Sequence, residues 1–91
     1  MVLGLSEERV VLVARKPLRE YLIEVALMFQ EGANLVTLKG HGKYISKAVD
    51  LFNTIVARMK DTVELAEVSI GSDVVKGKVK PYIAIKIKRR Y

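Results

Sequence analysis

The spacing of apolar residues changes along the first half of the chain and predicts a strand, a helix and a second strand. Residues Arg9–Ala14 read RVVLVA, a short β-branched run typical of a buried strand. Pro17 suits the first turn of a helix, where its missing N–H costs nothing, and apolar residues recur at helical spacing over Leu18–Phe29. Gly32 is placed to end this helix in a left-handed conformation, and Leu35–Lys39 predicts the second strand.

A second helix, predicted over Tyr44–Lys60, carries apolar residues on two sides. Leu51 and Ile55 lie outside its main stripe. In so small a domain, a second apolar side predicts a subunit contact through Leu51 and Ile55. The alternative is that the domain's own sheet and first helix cover both sides. The main stripe consists of Ile45, Ala48, Val49, Phe52, Val56 and Met59.

The remainder of the chain predicts two strands joined by a hairpin. Val63–Ile70 is the third strand, and a slip in its apolar phase before Val68 indicates a bulge. Lys80–Lys88 is the fourth strand, in which Ile83, Ile85 and Ile87 alternate with Ala84, Lys86 and Lys88. Between them lies the hairpin segment Gly71–Val79. From Gly71 to its tip at Gly77, it forms an arm of about 20 Å at about 3.3 Å per residue. The order β-α-β-α-β-β predicts one α+β domain over residues 1–91, a two-layer sandwich with both helices on one face of a four-stranded mixed sheet.

Composition narrows the class of protein. The 91 residues are 51% hydrophobic and 29% charged, which excludes a disordered or collagen-like chain. There is no cysteine, which excludes a disulfide scaffold and a thiolate metal site. Apolar stretches are far shorter than the roughly 20 residues of a membrane span, and Met1–Ser6 lacks the basic start of a signal peptide. We therefore expect a soluble, cytoplasmic protein.

Basic residues are segregated along the chain, which has a formal net charge of +6. Val74–Tyr91 contains seven basic residues and no acid, and Lys39–Lys47 contains three and no acid. A third cluster lies at Arg15, Lys16 and Arg19. Such segregation predicts basic faces that bind a polyanion by neutralising its phosphates.

Candidate chemistry is sparse, and it points to binding without catalysis. His41 is the single histidine, so the sequence predicts no catalytic residue, no metal site and no cofactor. Gly40-His41-Gly42 is predicted to be a loop that precedes a helix N-terminus, which attracts anions. Lys76 and Lys78 tip the hairpin arm, which is long enough to follow a groove of a nucleic-acid duplex; the alternative is that these lysines block edge-to-edge aggregation. No recognition-helix pattern is present, so we expect little sequence preference.

Three segments together resemble the Alba family of archaeal chromatin proteins: VVLVARKP at 10–17, LVTLKGHGKYISKAVD at 35–50 and EVSIGSDVV at 67–75. The resemblance runs from about Arg9 to Lys88, and residues 42–50 are its most specific part. It implies the βαβαββ fold, similar to the C-terminal domain of translation initiation factor 3. It also implies a homodimer on the chromosome that coats or compacts duplex DNA without sequence specificity and also binds RNA.

The resemblance assigns site residues by position. Loop cations are implied to lie over the nucleic-acid backbone, and the arms, here Val75–Lys80, to reach into the minor groove. The implied nucleic-acid-binding residues are Arg15, Lys16, Lys39, His41, Gly42, Lys43, Ser46, Lys47, Lys76, Lys78 and Lys80.

Two departures from the family pattern bear on regulation and assembly. Arg15 stands where the family has a lysine that can be acetylated, and arginine keeps the charge but cannot take an acetyl group. Lys16 is left as the position open to modification, with a deacetylase as the implied partner. Met59 stands where many members have a phenylalanine used in dimer–dimer contacts along DNA, which makes Met59 the implied residue for that contact. Cooperative coating stays open, as does a paralogue that supplies the contact or replaces one subunit of the homodimer.

Two other functions stay open at this stage. One is an RNA-binding subunit or RNA chaperone of a ribonucleoprotein such as RNase P. The other is a protein-interaction module whose basic faces dock on acidic partners.

Overall fold

A four-stranded mixed sheet and two helices make up the fold in a computed structural model that describes residues 8–90. The sheet order is β1-β2-β4-β3, with β1 parallel to β2 and the other pairs antiparallel. The predicted α+β class and element order are confirmed. The elements are β1 Glu8–Val13, α1 Leu18–Gln30, β2 Leu35–His41, a 3₁₀ turn Gly42–Tyr44, α2 Ile45–Met59, β3 Val63–Val75 and β4 Lys78–Arg89.

The core lies between the two helices and one face of the sheet. Alternate residues of β1, β2 and β4 are buried, because successive side chains of a strand point to opposite faces. Within residues 8–90, no helix covers the other face of the sheet, which we call the open face. The buried hydrophobic residues are Val11, Val13, Val36, Leu38, Ile85 and Ile87 from these strands, Val63 from β3, Tyr21, Val25 and Phe29 from α1, Ala33 between α1 and β2, and Ala48, Leu51 and Ile55 from α2.

The predicted dimer contact at Leu51 and Ile55 is wrong. Both side chains are 0% exposed within a single chain and form the buried centre of α2 together with Ala48. Apart from Ala48, the larger stripe of apolar residues, which includes Phe52 and Val56, is only half-buried and runs along the border of the core. Counting apolar residues therefore misjudged which side of α2 faces the sheet.

The strands run further than the sequence predicts. Gly40 and His41 belong to β2 and not to a loop, and a Cβ at position 40 would lie 2.5 Å from the Tyr44 carbonyl oxygen. Glycine at this position lets the start of α2 close down on the end of β2. The bulge in β3 is confirmed as a register shift between Leu65 and Glu67.

The hairpin between β3 and β4 is a regular ladder with a two-residue turn. Lys76 and Gly77 both have positive φ, 52° and 77°. That is the conformation of a type I′ turn, whose twist matches the twist of the flanking strands. The predicted arm is thus two continuous strands that project beyond the end of β2.

Candidate nucleic-acid interface

The loop between β1 and α1 is fastened to both helices. The hydroxyl of Tyr21, a residue 2% exposed, accepts hydrogen bonds from the backbone N–H of Ala14 at 2.7 Å and of Lys16 at 3.3 Å. From α2, the Lys47 ammonium donates to the carbonyls of Ala14 at 2.8 Å and Lys16 at 2.5 Å. The loop backbone is therefore held in place while the side chain of Arg15 stays exposed.

Lys47 and Tyr21 thus have roles that sequence reasoning missed. Lys47 was predicted to bind nucleic acid, but two of its three N–H donors are already used on the loop carbonyls. The partners of the Tyr21 hydroxyl could not be predicted from the sequence, because nothing in a helical apolar pattern shows where a buried hydroxyl finds its partners.

Three segments far apart in the sequence meet at a groove of about 670 Å³, which we call the cationic groove. Arg15 and Lys16 come from the β1–α1 loop, Lys43 from the 3₁₀ turn, and Lys76 and Lys80 from the arm. The apolar parts of the wall include Leu12, Tyr44 and Val75. The strand topology explains this meeting, since parallel neighbours β1 and β2 end at the same edge of the sheet and the arm projects from that edge.

Most cations around this groove have no acidic partner. Within residues 8–90, no ion pair involves Arg15, Lys43, Lys76, Lys78 or Lys80. Like charges gathered around one concave surface create a positive potential that attracts anions.

Lys16 is the exception among the groove cations. It donates a hydrogen bond to the carboxylate of Glu24 on α1, and this bond raises the pKa of Lys16 above its usual 10.5. A phosphate that approaches Lys16 has to compete with the Glu24 carboxylate.

The predicted binding residues Lys39 and His41 are not free cations. Asp73 Oδ2 lies 2.9 Å from Lys39 Nζ and 2.7 Å from His41 Nε2. Lys39 also lies over the ring of Tyr82, 4.3 Å from its centroid. The structure therefore places this pair at the base of the arm, bound to a carboxylate of the same chain. Sequence alone gave no signal of this, because the contact joins strands separated by a third strand.

The last predicted site residues occupy separate places. Gly42 adopts a positive φ of 53° where β2 enters the 3₁₀ turn, and Ser46 is exposed in the first turn of α2. Met59 lies away from the cationic groove and borders a cavity of about 290 Å³ with Phe29 and Arg89.

The basic residues of the open face are paired with acids across the strands. Lys86 lies 4.0 Å from Glu67, and Lys88 lies 3.2 Å from Glu64. Arg90, just past β4, lies 3.4 Å from the same Glu64 carboxylate. Within the part of the chain that the structure describes, the long basic run at the end of the sequence thus contains cations without an ion pair on the arm and cations paired with acids on the body. Arg89 belongs to neither group, since its guanidinium donates to the Phe29 carbonyl.

The part of the chain that the structure covers contains no cluster of three histidine, cysteine or acidic side chains arranged to hold a metal ion. None of its helices is long and apolar enough to cross a membrane.

These features describe a small α+β domain with a basic end built from two loops and a β-arm. The Alba family model matches residues 9–72. The chain belongs to the Alba family.

Relatives agree with this assignment over most of the chain. It is 38% identical to DNA/RNA-binding protein Alba 2 of Saccharolobus solfataricus over 76 residues, 84% of this chain and 85% of that protein. It is 33% identical to DNA/RNA-binding protein Alba of Methanocella arvoryzae over 69 residues, 76% of this chain and 72% of that protein.

Solved structures agree as well. Alba from Thermoplasma volcanium superimposes with a TM-score of 0.81 at 26% identity, covering 88% of this chain and 99% of that one. ALBA1 from Trypanosoma brucei shares the fold, with a TM-score of 0.76 at 16% identity over 88% of this chain and 68% of its own.

Proposed function

We propose that this protein binds duplex DNA, and also RNA, through the cationic groove and the arm, with little preference for sequence. The observation that carries the proposal is the meeting of basic side chains from three segments at one groove, most of them without an acidic partner. The relatives' description as DNA/RNA-binding proteins supports it.

The chemistry is charge neutralisation without a covalent step. Ammonium and guanidinium groups that contact phosphates release condensed counterions, and this release favours binding most at low salt. Phosphate contacts fix the position of a protein on the duplex but carry no information about the bases. An architectural role, in which many copies coat or compact the nucleic acid, follows from binding of this kind.

We infer that the active form is a dimer joined along β3. Leu65, Val68 and Ile70 are 48%, 49% and 80% exposed on this edge strand, and they pair with Ile87, Ile85 and Ile83. They therefore lie on the helix side of the sheet, next to α2. We call these three β3 residues the apolar edge. A second copy packed there would cover both the apolar surface and the unpaired strand edge.

A salt titration of affinity for a short DNA duplex tests the proposed binding. Five unpaired cations in each of two subunits give about ten phosphate contacts, and hence a log–log slope of about −9. The expected result is tight binding at 50 mM salt that weakens by orders of magnitude at 200 mM. An affinity that does not change with salt over this range would refute the proposal.

A competition experiment decides between DNA and RNA as the preferred partner. A structured RNA of matched length is added as competitor at one salt concentration. Equal competition supports a general nucleic-acid architectural protein. A large preference for RNA favours a subunit or chaperone of a ribonucleoprotein.

A further inference from the structure

The arm leaves the body of the protein with little support from its neighbours. The pairing of β2 with β4 ends at His41 and Tyr82, whereas β3 and β4 continue together to the pair Val75 and Lys78. In this extension Val74 and Val79 are 72% and 71% exposed. A two-stranded hairpin is only marginally stable in water by itself. The direction of the arm therefore depends on how its base is tied to the body.

Four side chains from three strands form such a tie. Asp73 on β3 reaches across β4 to Lys39 and His41 on β2, at 2.9 Å and 2.7 Å. The Tyr82 ring of β4 lies between them, with its centroid 5.8 Å from that of His41. We call Lys39, His41, Asp73 and Tyr82 the arm clasp.

On β3, Gly71 makes room for the Tyr82 ring of the arm clasp. A Cβ at position 71 would lie 2.7 Å from the Tyr82 hydroxyl, so glycine on β3 leaves the space in which the Tyr82 ring rests. The hydrogen bond with His41, and then the one from Lys39, hold the pKa of Asp73 below its usual 3.8. The carboxylate is thus ionised at neutral pH and keeps both partners.

We propose that Asp73 is a positioning residue for nucleic-acid binding. Through the clasp it fixes the direction in which the arm carries Lys76, Lys78 and Lys80 away from the body. This inference rests on the proposed function and deepens it. Asp73 itself contacts no phosphate, since a carboxylate repels one.

The proposal predicts that removing Asp73 weakens DNA binding, whereas charge alone predicts that it strengthens binding. Removing an acid from the surface of a polyanion-binding protein raises the positive potential and strengthens binding. Removing Asp73 releases the arm, so the arm has to be ordered again on binding, at a free-energy cost. We therefore expect Asp73→Ala to bind duplex DNA about three- to tenfold more weakly than the unsubstituted protein.

Glu67→Ala is the matched control. It removes an acid from the same strand and the same face, where Glu67 pairs with Lys86 at 4.0 Å on the body of the sheet. Its binding should be unchanged or slightly tighter. If Asp73→Ala instead binds as tightly as the unsubstituted protein, or more tightly because Lys39 and His41 now contact phosphate, the inference is overturned.

Amide hydrogen exchange supplies a readout that needs no ligand. In the Asp73→Ala variant, the amides of residues 72–80 should exchange faster while the buried strands keep their protection. In Glu67→Ala the arm should not change. Equal arm protection in both variants contradicts the clasp. Absence of salt-dependent binding by the unsubstituted protein would refute the proposed function instead, so the two failures are distinguishable.

Discussion

The cationic groove and the open face of the sheet are both rich in basic residues, but they differ in where the nearest carboxylates lie. On the open face, strand register sets Lys86 opposite Glu67 and Lys88 opposite Glu64. On the arm, Lys78 stands opposite a valine, and the Asp73 carboxylate opposite Lys80 is bonded to Lys39 and His41. An exposed ion pair adds little stability, but it does cancel the local charge. Among the described residues, the two regions therefore differ in how many of their cations lack an acidic partner, and the proposed binding site follows this difference and not the number of lysines.

The strongest test removes equal charge from the two regions. In a dimer, the combined substitutions Arg15→Ala, Lys43→Ala and Lys80→Ala should remove about six of the ten phosphate contacts, so the salt slope falls from about −9 to about −4. Affinity for a DNA duplex at moderate salt should fall by about a thousandfold, measured by fluorescence anisotropy.

The control for this experiment comes from the open face. Lys86→Ala, Lys88→Ala and Arg90→Ala together remove the same formal charge from residues that acids already neutralise. Only a few-fold loss is expected, because long-range potential is screened beyond about 10 Å at 0.1 M salt. Equal losses in the two triple variants would show that net charge alone drives binding.

The next test asks whether two grooves act together. Ile70→Asp places a charge in the apolar edge and should convert the dimer to a monomer in analytical ultracentrifugation. The salt slope should fall to about half, because one groove supplies about five contacts. Ile23→Asp, at an apolar position 52% exposed on α1, should leave both the mass and the slope unchanged. If the Ile70→Asp variant remains a dimer, the subunit interface does not lie at the apolar edge.

A smaller effect is expected from the fastening of the β1–α1 loop. Tyr21→Phe removes the hydroxyl that accepts from Ala14 and Lys16, and leaves two partly buried N–H groups without that partner. We expect about 1–3 kcal/mol of lost stability in thermal or chemical unfolding. Affinity for DNA should fall several-fold, since Arg15 is then less well placed. A variant with unchanged stability would show that water replaces the hydroxyl at no cost.

The smallest expected effect comes from Lys16, the one groove cation that is paired with an acid among residues 8–90. Glu24→Gln removes the acid that holds Lys16, and so adds about one phosphate contact per subunit and steepens the dimer's slope by about two. Binding at moderate salt should become a few-fold tighter. In a background of Lys16→Ala the same substitution should give no gain, because the lysine that it frees is missing.

Local patterns predicted the elements well because helix and strand periods depend on neighbouring residues. The meeting of Arg15 with Lys43 also follows from the sequence, once two parallel strands end at one edge. The pairing of Lys39 and His41 with an acid could not be predicted, since their contact with Asp73 depends on the register of two strand pairings at once. The prediction that Leu51 contacts a second subunit was wrong for a related reason. A helical pattern shows that two sides are apolar but not which one the sheet covers.

Gly40 links backbone geometry to the spacing of the loop cations. A methyl group there would meet the Tyr44 carbonyl, so even alanine would push the first turn of α2 outward and take Lys43 with it. The width of the cationic groove thus depends on a residue that bears no charge. A substitution at Gly40 would therefore change the spacing of the groove cations without altering a single lysine.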